Sequence, residues 1–311
     1  MPTQVAADPR AWRADTVDAP ENWYYPISER GLAVLDRIIR DPKISDRPVA
    51  ELNATDELRA ACVSEIGRVG DALEKGRGFA VVSVPPERYA AQEQSAAYWL
   101  VGQLLGRPFE QNVQGTVLYD VKDTGQSVQY GARFSVTNAE STFHTDNSFG
   151  DDVLDYVGLL CINSAKSGGE SQIVSGYAVR DELAAKQPGA VEVLGRPFHV
   201  DRRGGLRPGD EPTARFPIFG GDDRELLIRY LRYWIEVGHG KAGQPLTAEQ
   251  VQAMDTLDRV AAEKPLRVQF MMKPGEMLFV NNRWILHNRT GFEDFTEPEK
   301  KRHYVRLWLR R

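Results

Sequence analysis

Short apolar runs separated by turn residues dominate this chain from Gly106 onward, and this pattern most limits its fold. Few long helical patterns lie between these runs, which is typical of a β core. The candidate strands are 116–121, 141–145, 156–163, 170–174, 198–201, 226–230, 266–272, 277–280 and 304–309.

Helical patterns precede and interrupt this series. Apolar residues at helical spacing fall in 29–40, and further helices are predicted at 55–76 and after Pro85-Pro86. Two more interrupt the strands at 178–187 and 247–264. We therefore predict an α+β protein with an N-terminal arm at 1–25, a single domain at 26–311 and a mixed insertion around 178–265.

Composition narrows the function classes. The 311 residues include 39 Lys and Arg against 44 Asp and Glu, a net charge of −5, which argues against a dedicated nucleic-acid binder. No apolar window is long enough for a membrane span, and the first residues lack a secretory leader pattern. Cys62 and Cys161 lie in apolar stretches and predict buried free thiols. We expect a cytoplasmic protein with a small-molecule substrate, and the sequence leaves open whether it forms a homo-oligomer.

Only five histidines are present, so a histidine-based site has few candidates. His144 and Asp146, two apart at a predicted strand end, can point the same way. With one more histidine they would form the two-His-one-carboxylate site of non-haem Fe(II) oxygenases. About 0.7 matches to H-x-[DE] are expected by chance, and a second match occurs at His199-Val200-Asp201. Its flanks are typical of a charged hairpin turn, so we interpret it as structural, and we expect His239 in a solvated loop.

Two features near the C-terminus bear on the third ligand. His287 alone could equally be a core histidine held by a backbone carbonyl. However, Arg302 and Arg306 share one face of the last predicted strand. Two arginines in an otherwise apolar strand need an anion, either protein carboxylates or a ligand.

Taken together, these motifs resemble the taurine dioxygenase family of Fe(II)/2-oxoglutarate oxygenases, with clavaminate synthase and γ-butyrobetaine hydroxylase as more distant relatives. The resemblance covers roughly 78–311. It is carried by Phe143-His144-Thr145-Asp146, Ser167-Gly168-Gly169-Glu170-Ser171, Asn281-Asn282-Arg283-Trp284-Ile285-Leu286-His287, Arg302 and Arg306, in that order.

The resemblance implies a double-stranded β-helix (jelly-roll, cupin-like) core with flanking helices. It implies that His144, Asp146 and His287 bind Fe(II), and that Arg302 and the Ser171 hydroxyl hold the distal carboxylate of 2-oxoglutarate. Arg306 matches a second arginine near the cosubstrate or the prime substrate. The implied reaction consumes O2 and 2-oxoglutarate, releases succinate and CO2, and hydroxylates an unactivated C–H bond of a small anionic substrate.

Residues around the first motif are the candidates for binding the prime substrate. They are Tyr130, Arg133, Asn138 and Phe149, with Arg306 as a further candidate. For Arg306, the alternative is a salt bridge within the strand face. Trp284 and Trp308 are expected to pack in the core or at the rim.

Three alternatives remain open from the sequence. The same three ligands could serve a zinc-dependent hydrolase. A jelly-roll binding protein without catalysis is a second alternative. The iron chemistry could also end in desaturation, epoxidation or cyclisation.

Overall fold

The computed structural model describes residues 8–42, 47–126, 134–203, 211–222 and 224–311. The helices are α1 Glu29–Ile39, α2 Asp56–Ala61, α3 Val63–Glu74, α4 Ala91–Leu105, α5 Gly176–Lys186, α6 Pro188–Leu194, α7 Arg232–Lys241 and α8 Ala248–Ala261. The strands are β1 Tyr24–Pro26, β2 Phe79–Ser83, β3 Arg107–Phe109, β4 Leu118–Val121, β5 Tyr156–Asn163, β6 Ser167–Gly168, β7 Ser171–Ser175 and β8 Pro197–Asp201. They continue with β9 Thr213–Pro217, β10 Phe219–Gly221, β11 Leu226–Ile228, β12 Arg267–Phe270, β13 Glu276–Asn281, β14 Ile285–Arg289, β15 Phe292–Glu293 and β16 His303–Arg310.

Helix starts follow local sequence signals. Thr55, Ser175 and Thr247 precede α2, α5 and α8, and each side-chain oxygen accepts a backbone N–H of the first turn. At α8, Gln250 reaches back to the Thr247 backbone and completes a capping box.

Two sheets form the centre of the molecule. The large sheet has the order β1-β2-β13-β5-β16-β3, with β4 also paired to β16, and its pairs are antiparallel except β1 with β2. The smaller sheet has the order β12-β7-β14 and is antiparallel. The protein is thus a mixed α/β molecule with a sheet-rich core.

Strand β16 shows how the layers are arranged. Val305, Leu307 and Leu309 belong to the apolar cluster between the large sheet and helices α1 to α4. Tyr304 and Trp308, on the opposite face, belong to a second cluster that includes residues of the smaller sheet. Because successive side chains alternate, the polar residue between these two, Arg306, also faces the space between the sheets.

Two predictions about local structure differ from the structure. The predicted helix 55–76 is two helices, because the backbone leaves helical geometry at Cys62, whose buried sulfur packs on Gly31. The predicted strand 141–145 forms only one isolated bridge, between His144 and His287. The pairing with β14 ends there because the next residue, Thr145, donates its N–H to the Tyr230 carbonyl instead.

Two expectations about the chain as a whole can be compared with the structure. Cys62 and Cys161 are buried and free, as predicted. In the described part of the chain, no helix combines the length and apolar character that a bilayer crossing requires.

Candidate metal centre and active site

Three side chains converge between the two sheets. One ligand atom each from His144, Asp146 and His287 lies within 4.8 Å of the other two. Asp146 Oδ1 is 3.4 Å from His144 Nε2 and 3.7 Å from His287 Nε2. The structure therefore brings together the three residues that the sequence predicted as ligands.

Backbone hydrogen bonds fix the two histidines relative to each other. His144 and His287 exchange N–H to carbonyl bonds of 3.0 Å in both directions, forming the isolated bridge. The ring nitrogen Nδ1 of His144 lies 2.6 Å from the Thr142 carbonyl, an arrangement that leaves Nε2 to face Asp146.

Asn282 fixes the backbone at Asp146. Its side-chain carbonyl accepts the Asp146 N–H at 2.8 Å, and its amide donates to the Asp146 carbonyl at 2.9 Å. Immediately afterwards the chain turns at Asn147, which has a φ of 51°. Two buried hydrogen bonds from Asn282 thus fix the Asp146 backbone just before this turn.

The second oxygen of Asp146 is bound by the last strand. Arg306 Nη1 lies 3.0 Å and Trp308 Nε1 lies 2.8 Å from Asp146 Oδ2. Burial acts to raise the pKa of the Asp146 carboxyl, but the Arg306 charge and the His144 hydrogen bond hold that pKa well below its ordinary value. Arg306 is therefore ion-paired in this structure, but with Asp146 on another segment and not within the face of its own strand. Trp308, expected only to pack, donates to a candidate ligand.

The donor set suits a divalent transition metal. Burial, with the nearby charge of His144, lowers the pKa of His287 to about 3, so its imidazole is neutral at pH 7. Two imidazoles and one ionised carboxylate on one side of a cavity match the ligands of non-haem Fe(II) sites. The residues present therefore fit the iron ion that the sequence predicted.

Arg302 forms a basic part of the same cavity. Its side chain is 4% exposed, and its Nε and Nη1 have no hydrogen-bond partner among the described residues. The guanidinium lies 3.8 Å from the Tyr304 ring centroid, and burial lowers its pKa. A buried cation with unused donors suits an anionic ligand. Ser171, on β7, lines the same cavity.

Sequence reasoning missed Arg289. It follows His287 by two positions on β14, and such spacing places both on one face of the strand. It lines the cavity with Arg302, and burial together with the Arg302 charge lowers the pKa of Arg289 to about 10. Its position two residues after His287, a proposed ligand, was the sequence signal that could have identified Arg289.

The cavity has a volume of about 180 Å³ and an aromatic mouth. Phe149, Tyr233 and Trp234 line it, together with Arg203, whose guanidinium lies 3.7 Å from the Trp234 ring centroid. Of these, only Phe149 was a predicted substrate residue. The others belong to α7 and to the chain after β8, whose position over the site no local pattern indicated.

The remaining candidates lie elsewhere. Asn138 is exposed and is not among the described residues that line the cavity. Tyr130 and Arg133 fall outside the described residues. Trp284 is buried in the core, as expected.

The other histidines of the insertion are structural. His199 lies on β8 within reach of Thr213 and Gln244, which agrees with its structural interpretation. His239 was wrongly expected in a solvated loop. It is buried in the last turn of α7, where its Nε2 accepts the His199 backbone N–H.

Comparison with known proteins gives consistent matches. A family model described as "Taurine catabolism dioxygenase TauD, TfdA family" matches residues 46–308. FR-33289 synthase of Streptomyces rubellomurinus is 29% identical over 303 residues, 96% of this chain and 82% of its own length. Uridine-5'-phosphate dioxygenase of Amycolatopsis sp is 29% identical over 177 residues, 55% of this chain and 61% of its own length.

Solved structures show the same fold. An asparagine oxygenase in complex with Fe(II), 2S,3S-3-hydroxyasparagine and succinate matches with a TM-score of 0.67 and 17% identity, over 92% of this chain and 93% of that one. The non-heme iron oxygenase OrfP in complex with Fe and alpha-ketoglutaric acid matches with a TM-score of 0.61 and 14% identity, over 92% and 93% of the two chains.

Proposed function

Because the chain belongs to the taurine catabolism dioxygenase TauD, TfdA family, we propose that His144, Asp146 and His287 hold the iron of its reaction. The protein is a non-haem Fe(II)- and 2-oxoglutarate-dependent oxygenase that hydroxylates a small organic molecule. The observation that carries the residue assignment is the convergence of the three ligand atoms within 4.8 Å.

The bound Fe(II), with 2-oxoglutarate and O2, supplies the oxidative chemistry that couples loss of CO2 and formation of succinate to hydroxylation of a C–H bond. The chain's own residues bind and orient the reactants. The Thr142 carbonyl directs the His144 ring. Arg306 and Trp308 engage one carboxylate oxygen of Asp146 and leave the other facing the histidines.

For the cosubstrate, we propose that Arg302 and the Ser171 hydroxyl bind the distal carboxylate. The unpartnered donors of Arg302 support this assignment, because an anion there would satisfy them. Arg306 lines the same cavity and stays a candidate for contact with the cosubstrate or the prime substrate.

The prime substrate is proposed to be a small anionic molecule that enters past Phe149. The support is that arginines other than the proposed cosubstrate anchor also line the cavity, among them Arg203 and Arg306. The name of one relative, uridine-5'-phosphate dioxygenase, gives an anionic substrate for that protein.

We also propose that the two sheets form a jelly-roll core, in one domain at 26–311 with the insertion around 178–265. The two-sheet arrangement with the site between the sheets supports this proposal. The zinc hydrolase alternative has no support, since the family model and the relatives reported above point to dioxygenases and oxygenases.

An anaerobic titration tests the assignment. Fe(II) and 2-oxoglutarate should give the purified protein the visible charge-transfer band of an iron-chelated keto acid. His144→Ala should abolish both that band and substrate-dependent succinate formation. His199→Ala is the matched control, because His199 belongs to the other H-x-D sequence and lies on β8, and it should keep both. Retention of band and activity in folded His144→Ala would overturn the proposal.

A panel of candidate substrates tests the chemical class of the prime substrate. O2 consumption and succinate release are measured with small carboxylates, amino acids, sulfonates, phosphonates and phosphate esters. Turnover only of uncharged compounds would contradict the anionic substrate class.

A further inference from the structure

Two arginines line one part of the cavity, Arg302 buried and Arg289 half-buried. The guanidinium carbon of Arg289 is 4.7 Å from the Phe292 ring centroid, and that of Arg302 is 5.1 Å from the same centroid. Both side chains line the same cavity as His287. Because both guanidiniums lie against the same ring, their like charges repel each other, and more strongly in a cavity than in water.

The register of the smaller sheet places Arg289 beside Ser171. The two residues are directly paired across β14 and β7. Directly opposite residues in an antiparallel pair put their side chains on one face, with Cβ atoms roughly 5 Å apart. Ser171 is the hydroxyl proposed for the distal carboxylate of the cosubstrate.

Arg302, which directly precedes β16, lies against the turn before β7. A Cβ on Gly169 would lie 3.3 Å from Arg302 Nε, so this glycine leaves room for the guanidinium. Gly169 has a φ of 74°, a backbone conformation that itself favours glycine. Arg289, Arg302 and Ser171 therefore surround one small volume.

No carboxylate forms an ion pair with either guanidinium in the part of the chain that the structure describes. Arg289 donates to the carbonyls of Thr137 and Ala139. Asp294 instead accepts the backbone N–H of Arg302. Since a guanidinium has five donors, two carbonyls leave Arg289 with donors for a ligand. One buried and one half-buried cation without a paired carboxylate suit an anion bound between them.

We propose that Arg289 is a second cation of the cosubstrate site and binds, with Arg302 and Ser171, the distal carboxylate of the 2-oxo acid. This inference rests on the proposed function. It makes Arg289 a residue that selects a 2-oxo dicarboxylate over a 2-oxo acid with an apolar end.

The test separates this role from a purely structural one, in which Arg289 only ties down the backbone at Thr137 and Ala139. Binding of 2-oxoglutarate and of 2-oxopentanoate to the Fe(II)-loaded protein is measured anaerobically from the chelate absorption band. The second compound has the same chain length but a methyl group in place of the distal carboxylate.

Arg289→Gln should weaken 2-oxoglutarate binding roughly 10- to 100-fold, as expected for loss of a hydrogen bond to a charged group, and leave 2-oxopentanoate binding unchanged. Arg289→Lys keeps the charge and should preserve more of the discrimination, which keeps the test decisive if the glutamine variant does not fold. Arg267→Gln is the matched control. Arg267 also donates to a backbone carbonyl, that of Ala262, and lies in the same small sheet, so this variant should bind both compounds normally.

Equal weakening of both compounds in Arg289→Gln would overturn the inference, because the residue would then act only through the backbone. Unchanged binding of both would overturn it as well. Failure of the proposed function looks different, since the wild-type protein itself would then give no chelate band, or Arg302→Gln would not impair 2-oxoglutarate binding.

Discussion

Replacement of Trp308 by phenylalanine removes one hydrogen bond from Asp146 while keeping an aromatic ring between the sheets. The indole N–H lies 2.8 Å from Asp146 Oδ2, and both side chains are buried. Arg306 remains 3.0 Å from the same oxygen. The carboxylate thus keeps its charge partner and loses one of the two groups that set its orientation.

The expected size of the effect follows from these contacts. A hydrogen bond to a charged group contributes roughly 1.5–3 kcal/mol. Because Arg306 still engages the oxygen, we expect the lower end, so the metal dissociation constant should rise about tenfold. The assay is an anaerobic titration with Fe(II), repeated with Co(II) as a redox-stable probe.

A packing control separates metal positioning from general loss of core volume. Trp284→Phe also replaces a buried indole with a smaller ring, but Trp284 packs on Tyr177 and not on a candidate ligand. It should lower the free energy of unfolding without changing metal affinity. Unchanged metal affinity in Trp308→Phe, or equal losses in the two variants, would refute the idea that the indole N–H positions Asp146.

Three further predictions concern the cosubstrate, the pH dependence of stability and the cavity mouth. Arg302→Gln should raise the KM for 2-oxoglutarate at least roughly 30-fold in succinate-release assays, since a buried anion loses its main cation; an unchanged KM would remove Arg302 as the anchor. In the metal-free protein, the pKa of about 3 for His287 lies below its unfolded value of 6.5, so the unfolded state binds more protons between these values. The free energy of unfolding, measured with urea, should therefore be highest above pH 6.5 and fall toward pH 4 by at most about 1.4 kcal/mol per pH unit for this group, and His287→Asn should flatten the fall. Phe149→Ala should raise the KM for the prime substrate about tenfold and leave that for 2-oxoglutarate unchanged, and a shift confined to 2-oxoglutarate would contradict its position at the mouth.

The sequence was most informative where chemistry demands particular residue types. The His144 and Asp146 pair, His287 and the buried Arg302 could be named because few histidines exist and because an arginine in an apolar strand is unusual. The structure brings these residues to one cavity. Their meeting depends on an order of strands that only the family resemblance suggested.

Residues whose role depends on register or on partners could not be found in this way. Arg289 matters because it is paired with Ser171 across two strands, and strand pairing between distant segments leaves no local pattern. Trp308 was expected to pack because an indole in a buried strand usually does. His239 was expected in solvent because it stands between two glycines, but α7 packs on β8 and covers it.

The two faces of β16 have a consequence for how this enzyme can change. Leucine and valine side chains on one face hold the helical layer, while Arg306 and Trp308 on the other hold a metal ligand. A one-residue slip of this strand would exchange the two sets and disrupt both. New substrate preferences should therefore arise from the surface segments at the mouth, such as α7 and the chain around Phe149, which can vary without altering the iron centre.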